Sequence, residues 1–392
     1  MPWPLHDGEA IAVYAMAKGL VLQGNEVSLL AMNTIKHEKQ VANISNHLNY
    51  YSSVRFVSVD NRIGIKDIFS NLLLSRNPIH VDRLKSNEFE RELISVVQET
   101  NFDIILMETI FSSLCIDTLK LVSKAKLIIR NHNVEHLIWK RLSNLLPIWK
   151  SWYYHSQAHR IQRYEKRQLE KADLIIPLSA EDEKGIRGLG VKTKSKVVPI
   201  GLDLDDYKIE ERIDESDIFK ICFIGSLDWE PNLQGLIWFI DEVWSKVNSS
   251  KLKNKVELHI AGKQMPNRLR ELNLNGIIIH HKVPDAISFI NNHCAMIVPL
   301  FAGSGQRVKI LQAMALGKIV LSSTIGIEGI DAEDEKHFFK CNTKEDFFKG
   351  LEDIVDSKKV LSQSDIKVNV QTHYDLIELG EQINQTLQQL ID

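Results

Sequence analysis

A chain of 392 residues, 44% hydrophobic and 25% charged, has the make-up of a folded globular protein with room for two domains. Its formal net charge of -3 gives no global basis for nucleic-acid binding. No run of about 18 apolar residues occurs, which excludes a spanning helix, and the opening residues do not read as a signal peptide.

Short β-rich apolar runs alternate with longer amphipathic segments, the pattern of α/β domains built on parallel sheets. The chain opens on a Pro- and Gly-containing stretch, residues 1–9, that reads as a strand-to-helix loop with no strand before it. The expectation is a doubly wound domain that lacks its first strand because the reading frame starts late. Strands are then expected at 26–32, 54–59, 103–108, 126–130, 174–178 and 196–199. Helices are expected at 9–23, 64–75, 86–99, 113–123, 134–170 (broken) and 180–188. The acidic stretch 201–216 has little core character and reads as a linker. Beyond it the alternation resumes, with strands at 220–224, 257–261, 277–280, 295–299, 318–321 and 338–340. Helices follow at 233–247, 266–272, 285–292, 307–316, 343–355 and 366–390. The domains are expected at 1–202 and 203–370, with 371–392 a C-terminal helix packing back on the first. Two such Rossmann-like domains leave a cleft at the carboxyl ends of their strands, where ligands bind.

The four cysteines, Cys115, Cys222, Cys294 and Cys341, are far apart and form no CxxC pair. That points away from disulfides and metal and toward a reducing, cytoplasmic setting. No GxGxxG follows any strand, which disfavours a dehydrogenase. The most informative stretch is 294–325: an apolar strand, a small-residue loop with Gly303, Ser304 and Gly305, a short helix, Gly317, and a second apolar strand. A tight loop feeding a helix between parallel strands can seat a phosphate on free backbone N–H groups, and Arg307 and Lys309 add two cations. A solvated basic helix start is the plain alternative. His132 follows the strand at 126–130 and faces the cleft by position; Glu135 and His136 are alternatives that could instead cap the next helix. The segment 137–171 interleaves Trp139, Trp149, Trp152, Tyr153 and Tyr154 with Lys140, Arg141, Lys150 and Arg160. It reads either as a helix on an anionic membrane surface or as a core helix with a solvated basic face.

Several of these stretches carry a family likeness over essentially the whole chain. Residues 2–30, PWPLHDGEAIAVYAMAKGLVLQGNEVSLL, and 128–136, IIRNHNVEH, lie in the first half. Residues 197–207, VVPIGLDLDDY, enter the linker, and 223–244, FIGSLDWEPNLQGLIWFIDEVW, and 298–318, VPLFAGSGQRVKILQAMALGK, lie in the second half. Together they resemble the family 4 glycosyltransferases, retaining nucleotide-sugar-dependent enzymes of the two-domain GT-B fold. The resemblance implies transfer of a sugar from a nucleotide-diphosphate sugar to a glycan or lipid-linked acceptor, in polysaccharide or cell-surface glycan synthesis. It implies no tightly bound cofactor and no metal. It places His132 at the catalytic centre, with Arg307 and Lys309 on the leaving diphosphate. It makes Gly8, Gly225, Asn232, Lys263, Val283, Ser304, Gly305 and Gln312 the donor-binding set; Gly8 is also read as a plain turn glycine. It further implies a front-face mechanism in which the leaving phosphate helps to deprotonate the acceptor. The family often has a Glu-x7-Glu pair where this chain has Ser304 and Gln312. That departure motivates a second reading, a non-catalytic sugar-nucleotide or glycan-binding module on the same fold. A sugar-nucleotide epimerase is a third reading, but it needs acidic catalytic groups in the cleft that the sequence does not place. The expected setting is cytoplasmic, with peripheral contact at the inner face of a membrane through 137–171.

Overall fold

The computed structural model describes residues 5, 7–34, 48–208, 218–281, 283–357 and 361–392. The opening loop at 1–4, part of the acidic linker (209–216) and Lys282 lie outside the described residues. In chain order the elements are α1 (Gly8–Leu22), β1 (Ser28–Thr34), β2 (Ser53–Val59), α2 (Ile65–Leu74), α3 (Ile79–Asp82), α4 (Asn87–Glu99) and β3 (Ile104–Glu108). A 3-10 turn, Ile110–Cys115, leads into α5 (Ile116–Val122), β4 (Lys126–Asn131), α6 (Glu135–Leu145), α7 (Ile148–Leu169), β5 (Leu174–Pro177) and α8 (Ala180–Gly188). Then come β6 (Phe219–Ile224), α9 (Glu230–Trp238), a π-helical stretch Phe239–Trp244, α10 (Ser245–Asn248), β7 (Val256–Ala261), α11 (Asn267–Arg270) and β8 (Ile277–His280). The chain continues with α12 (Ala286–Asn291), β9 (Ala295–Val298), α13 (Val308–Ala315), β10 (Ile319–Ser322), α14 (Thr324–Ile327) and β11 (Phe339–Lys340). It closes with α15 (Lys344–Val355), α16 (Gln363–Tyr374) and α17 (Leu376–Ile391).

These elements form two compact units. One is Met1–Gly201 with Ser304–Gln306 and Leu376–Asp392; the other is Leu202–Gly303 with Arg307–Asp375. In the first unit, β3, β4 and β5 form a parallel sheet in that order, and β1 pairs with β2 in a separate parallel sheet. Among the described residues no strand joins β1 to β3. The strand expected at 196–199 is an extended run beside β5. It is held by Lys196 N–H to Ile175 O (3.0 Å) and Val198 N–H to Pro177 O (3.0 Å), with a bridge at Ile175–Ser195.

Successive residues of a strand face opposite sides, and β4 shows what that does here. Ile128 packs with Met16 and Leu20 of α1 and Ile383 and Leu387 of α17. Ile129 packs on the other side with Tyr164 and Leu169 of α7 and Ile186 of α8. Leu127, Ile128 and Ile129 are therefore buried, whichever side of the strand they face, and the polar Arg130 and Asn131 that follow are buried with them. The long helix expected at 134–170 breaks at Pro147, which lacks an N–H and holds Leu146 extended (φ -96, ψ 152). The helix expected at 366–390 also breaks, at the extended Asp375 (φ -64, ψ 126).

The second unit has one parallel sheet, ordered β11-β10-β9-β6-β7-β8. The order turns outward on both sides of β6 and β9, the switch point at which doubly wound sheets bind ligands. Thr343 caps α15, accepting from Asp346 N–H, and Asp346 reaches back to the Thr343 N–H, a reciprocal capping box.

Candidate functional site

In the second unit the chain leaves β6 at Ile224 and turns through Gly225. A Cβ there would stand 2.8 Å from Asn232 Nδ2, so only glycine lets the start of α9 close onto the strand end. Asn232 is buried and donates through Nδ2 to Ser226 O at 2.9 Å. Its Oδ1 accepts from Lys309 Nζ at 3.1 Å, and the same ammonium donates to Ile224 O at 3.2 Å. Lys309 also lies over the Phe223 ring, 4.9 Å from its centroid. Burial, and then the neighbouring charge of Arg307, push the Lys309 pKa down to about 7.

Arg307 is buried at the N-cap of α13, and no side chain caps that helix end. Its guanidinium lies over the Trp229 ring, 5.7 Å from the centroid. Gly303 makes this possible: its φ is 142, and a Cβ would fall 2.2 Å from Arg307 Nη2. One turn along α13 from Lys309, the buried Gln312 donates through Nε2 to the Tyr207 hydroxyl at 3.3 Å. Burial pushes the Tyr207 pKa up to about 12, against the hydrogen bond from Gln312. Gly225, Asn232, Arg307, Lys309 and Gln312 thus gather around α13 and the end of β6. Lys263 is exposed on the neighbouring loop, where its carbonyl accepts from Leu227 N–H at 2.9 Å, and Val283 is half-buried between β8 and α12. What this arrangement offers is fixed positive charge beside an uncapped helix N-terminus, the requirement for holding an anion.

In the first unit, His132 follows the last residue of β4. Its Nε2 lies 2.6 Å from Glu108 Oε2, at the end of β3. Glu108 and Arg130 are register partners in the parallel ladder, and Arg130 Nη1 lies 3.3 Å from both carboxylate oxygens. Burial acts to raise the Glu108 pKa, but the charge of Arg130 and the hydrogen bond from His132 outweigh it and hold it below the usual range. Facing an ionised carboxylate, His132 Nε2 carries a proton and donates. Arg130 is itself fixed, since Nη1 also donates to Ala12 O at 3.0 Å and the side chain is 1% exposed.

The loop after His132 is equally constrained. Asn133 Nδ2 donates to Glu135 Oε1 at 3.0 Å. Burial, and then the charge of Glu165, push Glu135 up to about 7. The fully buried Glu165 of α7 accepts from Glu135 N–H (2.7 Å), His136 N–H (3.2 Å) and His136 Nδ1 (2.6 Å). Glu165 therefore caps α6 from another helix, and His136 is committed to that cap. Glu135 is not the cap that its sequence position permitted. Ser304 Oγ accepts from Val134 N–H at 2.9 Å and lies 3.3 Å from Asp182 Oδ1. A Cβ on Gly305 would lie 2.1 Å from His132 O, so His132 and Gly305 are neighbours. Gly8 is the first residue of α1, just after the N-cap Asp7, whose carboxylate accepts from Ala10 N–H at 2.9 Å. It starts a helix rather than sitting in a turn.

Sequence reasoning missed Glu108, Arg130 and Glu165. A charged residue inside an apolar strand run, as at Glu108 and Arg130, is the signal that could have found the first two. Nothing local marks Glu165, whose partners lie 29 and 30 residues away. Among the described residues no group of three or more His, Cys, Asp or Glu side chains is placed to hold a metal ion.

The family is set by two matches. The profile described as Glycosyltransferase Family 4 covers residues 7–206, and that described as Glycosyl transferases group 1 covers residues 218–357. The chain belongs to this glycosyltransferase family, and it is a transferase on the GT-B fold. A Klebsiella pneumoniae protein, described as an uncharacterized 44.6 kDa protein in the cps region, is 25% identical over 390 residues, covering 95% of this chain and 94% of that one. Anabaena HepE, solved with UDP and glucose, superposes with a TM-score of 0.67 at 14% identity, covering 97% of this chain and 96% of that one. Sucrose-phosphate synthase from Thermosynechococcus elongatus superposes with a TM-score of 0.72 at 13% identity, covering 98% and 93%.

Proposed function

We propose that this glycosyltransferase moves a sugar, with retention, from a nucleotide-diphosphate sugar to a glycan or lipid-linked acceptor during surface polysaccharide synthesis. The observation that carries the donor half is the Asn232–Lys309–Arg307 cluster at the uncapped start of α13. When the bond from the anomeric carbon to the phosphate oxygen breaks, charge builds on the leaving diphosphate. Prepositioned cations and N–H groups stabilise that charge more in the transition state than in the ground state. In the front-face scheme the acceptor oxygen bonds to the anomeric carbon on the same side. Its proton passes to the departing phosphate oxygen, so no protein nucleophile and no metal is needed. His132, through Nδ1, and the partly exposed Glu135 are the groups assigned to sugar hydroxyls. HepE was solved with UDP and with UDP-glucose, which favours a uridine nucleotide as the first donor to try. The cps region of the Klebsiella relative favours a polysaccharide product.

A non-catalytic binding module is the second reading. It is favoured by Ser304 and Gln312, whose side chains are already engaged with Val134 and Tyr207. One experiment separates the two: nucleoside diphosphate release from a panel of UDP-, GDP-, ADP- and dTDP-sugars, with the product anomer read by NMR. Turnover with an α-donor giving an α-product supports the enzyme; inversion sinks the retaining assignment. Tight donor binding with no release under any acceptor supports the module.

A further inference from the structure

α2 turns three large apolar side chains to solvent and holds Ile68 and Leu72 half-buried. Its buried position is a polar one: Asn71 is 4% exposed, while Phe69 is 61%, Leu73 80% and Leu74 84% exposed. The reason is an inward polar knot. Asn71 donates to Asn77 O (3.0 Å) and Asp82 (2.7 Å) and accepts from Gln157 (3.2 Å) of α7. Arg160 of α7 donates to Asn71 O, Leu72 O and Ser75 O and so closes the end of α2. These contacts fix α2 against α7 and leave Phe69, Leu73 and Leu74 facing outward.

The same exposure appears where α6 gives way to α7. Leu145 is 48% exposed, Ile148 90%, Trp149 69% and Trp152 59%. Trp139 and Tyr154 are half-buried instead: Trp139 lies edge-on to His80 (5.1 Å between centroids) and tilted against Tyr154 (5.0 Å). The segment is thus split, with a packed half and a half that presents indole and aliphatic groups to solvent. Lys150 lies over the Trp149 ring, 4.8 Å from the centroid. Between Glu135 and Glu165 the chain has no acidic residue and five cations, Lys140, Arg141, Lys150, Arg160 and Arg163.

We infer that the outward faces of α2 and of the α6–α7 corner form one docking surface for an anionic lipid bilayer. Exposed tryptophan and aliphatic side chains on a segment that also exposes Lys140, Lys150 and Arg163 match the interface of a membrane, where indoles sit at headgroup level and cations meet lipid phosphates. A second copy of the chain is a poor occupant, because an isologous contact would set like charges against each other. The inference stands on the surface alone, and sugar transfer to a soluble acceptor would leave it intact. On the reading above, it would bring the enzyme to a lipid-linked acceptor.

The test is flotation of the full chain with vesicles of phosphatidylcholine, alone or mixed with phosphatidylglycerol. Binding is expected only to the phosphatidylglycerol vesicles, weakening as salt rises. Joint Ile148→Ser, Trp149→Ser and Trp152→Ser should weaken it about 10-fold or more, the scale of losing several buried apolar groups. Joint Phe69→Ser and Leu73→Ser, and joint Lys150→Glu and Arg163→Glu, should each weaken it as well. All these side chains are exposed, so the melting temperature should stay unchanged. Equal binding to both vesicle types, or wild-type binding by the tryptophan variant, overturns the proposal. So does a wild-type dimer that the tryptophan variant dissolves, with no lipid binding in either.

Discussion

Removing Glu108 should strand a buried cation. Arg130 is 1% exposed, and Glu108 is its charge partner at 3.3 Å; without it the guanidinium keeps the Ala12 carbonyl and loses its counter-charge. Deleting one member of such a pair costs about 3–5 kcal/mol, because the remaining charge is left desolvated. Glu108→Ala should therefore lower the unfolding free energy by that amount in urea, followed by far-UV circular dichroism. Glu108→Gln keeps an acceptor and should cost about 2 kcal/mol. Joint Glu108→Ala and Arg130→Met removes both charges and should recover most of the loss. The same substitutions release His132, since its Nε2 proton no longer meets a carboxylate at 2.6 Å. A loosened group of this kind costs roughly 10²-fold in turnover, so Glu108→Gln should fall by that factor while nucleoside diphosphate affinity holds. The imidazole 15N resonances of His132 should report the Nε2–H tautomer in the wild type. The reasoning is refuted if Glu108→Ala is no less stable than Glu108→Gln, or if Glu108→Gln turns over at the wild-type rate.

Arg307→Ala and Lys309→Ala should each lower turnover by about 10²-fold or more, the scale of losing one charge-stabilising donor; unchanged rates would remove both from the site. Lys309 has a pKa of about 7 in the free protein, and a bound diphosphate would raise it. Nucleotide binding near pH 8 should therefore take up a proton, seen as a buffer-dependent heat in calorimetry, and affinity should rise as pH falls from 9 to 7. Gly303→Ala should impair turnover without removing any charge, because its Cβ would fall 2.2 Å from Arg307 Nη2 at a φ of 142; wild-type kinetics would show that Arg307 need not fold back there. Burial pushes His80 down to about 3 and His293 to about 4. Both are lowered, so the unfolded chain binds more protons below pH 6.5, and stability should drop by several kcal/mol between about pH 6.5 and 4. A flat urea midpoint over that window would contradict the neutral burial of both rings.

Most of the fold is legible because each strand is a short apolar run and the helices between them are periodic. β4 is the clear case: every residue from Leu127 to Asn131 is buried, and the sequence reads as an uninterrupted strand. Pro147 gives away the break between α6 and α7. The break at Asp375 is hidden, because no proline or glycine marks it and its cause is non-local: Leu202 N–H donates to Tyr374 O at 2.8 Å. The α13 cluster was half legible. Arg307 and Lys309 follow from a loop-and-helix pattern, but the tie from Lys309 to Asn232 spans 77 residues. Glu108 and Arg130 each carry a local signal, a charge in an apolar strand run, but their pairing does not, because only the parallel register of β3 and β4 sets them side by side. The outward turn of Phe69, Leu73 and Leu74 on α2 is a burial fact that the sequence pattern does not reveal.

The central claim is that the α13 cluster holds the donor diphosphate. Calorimetric titration of UDP into the wild type and into Asn232→Ala, Arg307→Ala and Lys309→Ala tests it most directly. Binding with a dissociation constant of roughly micromolar order is expected for the wild type, weakened about 10-fold or more in the two cation variants, the cost of a lost charged contact. Equal affinity across the four proteins, with GDP, ADP and dTDP giving the same flat result, would contradict it.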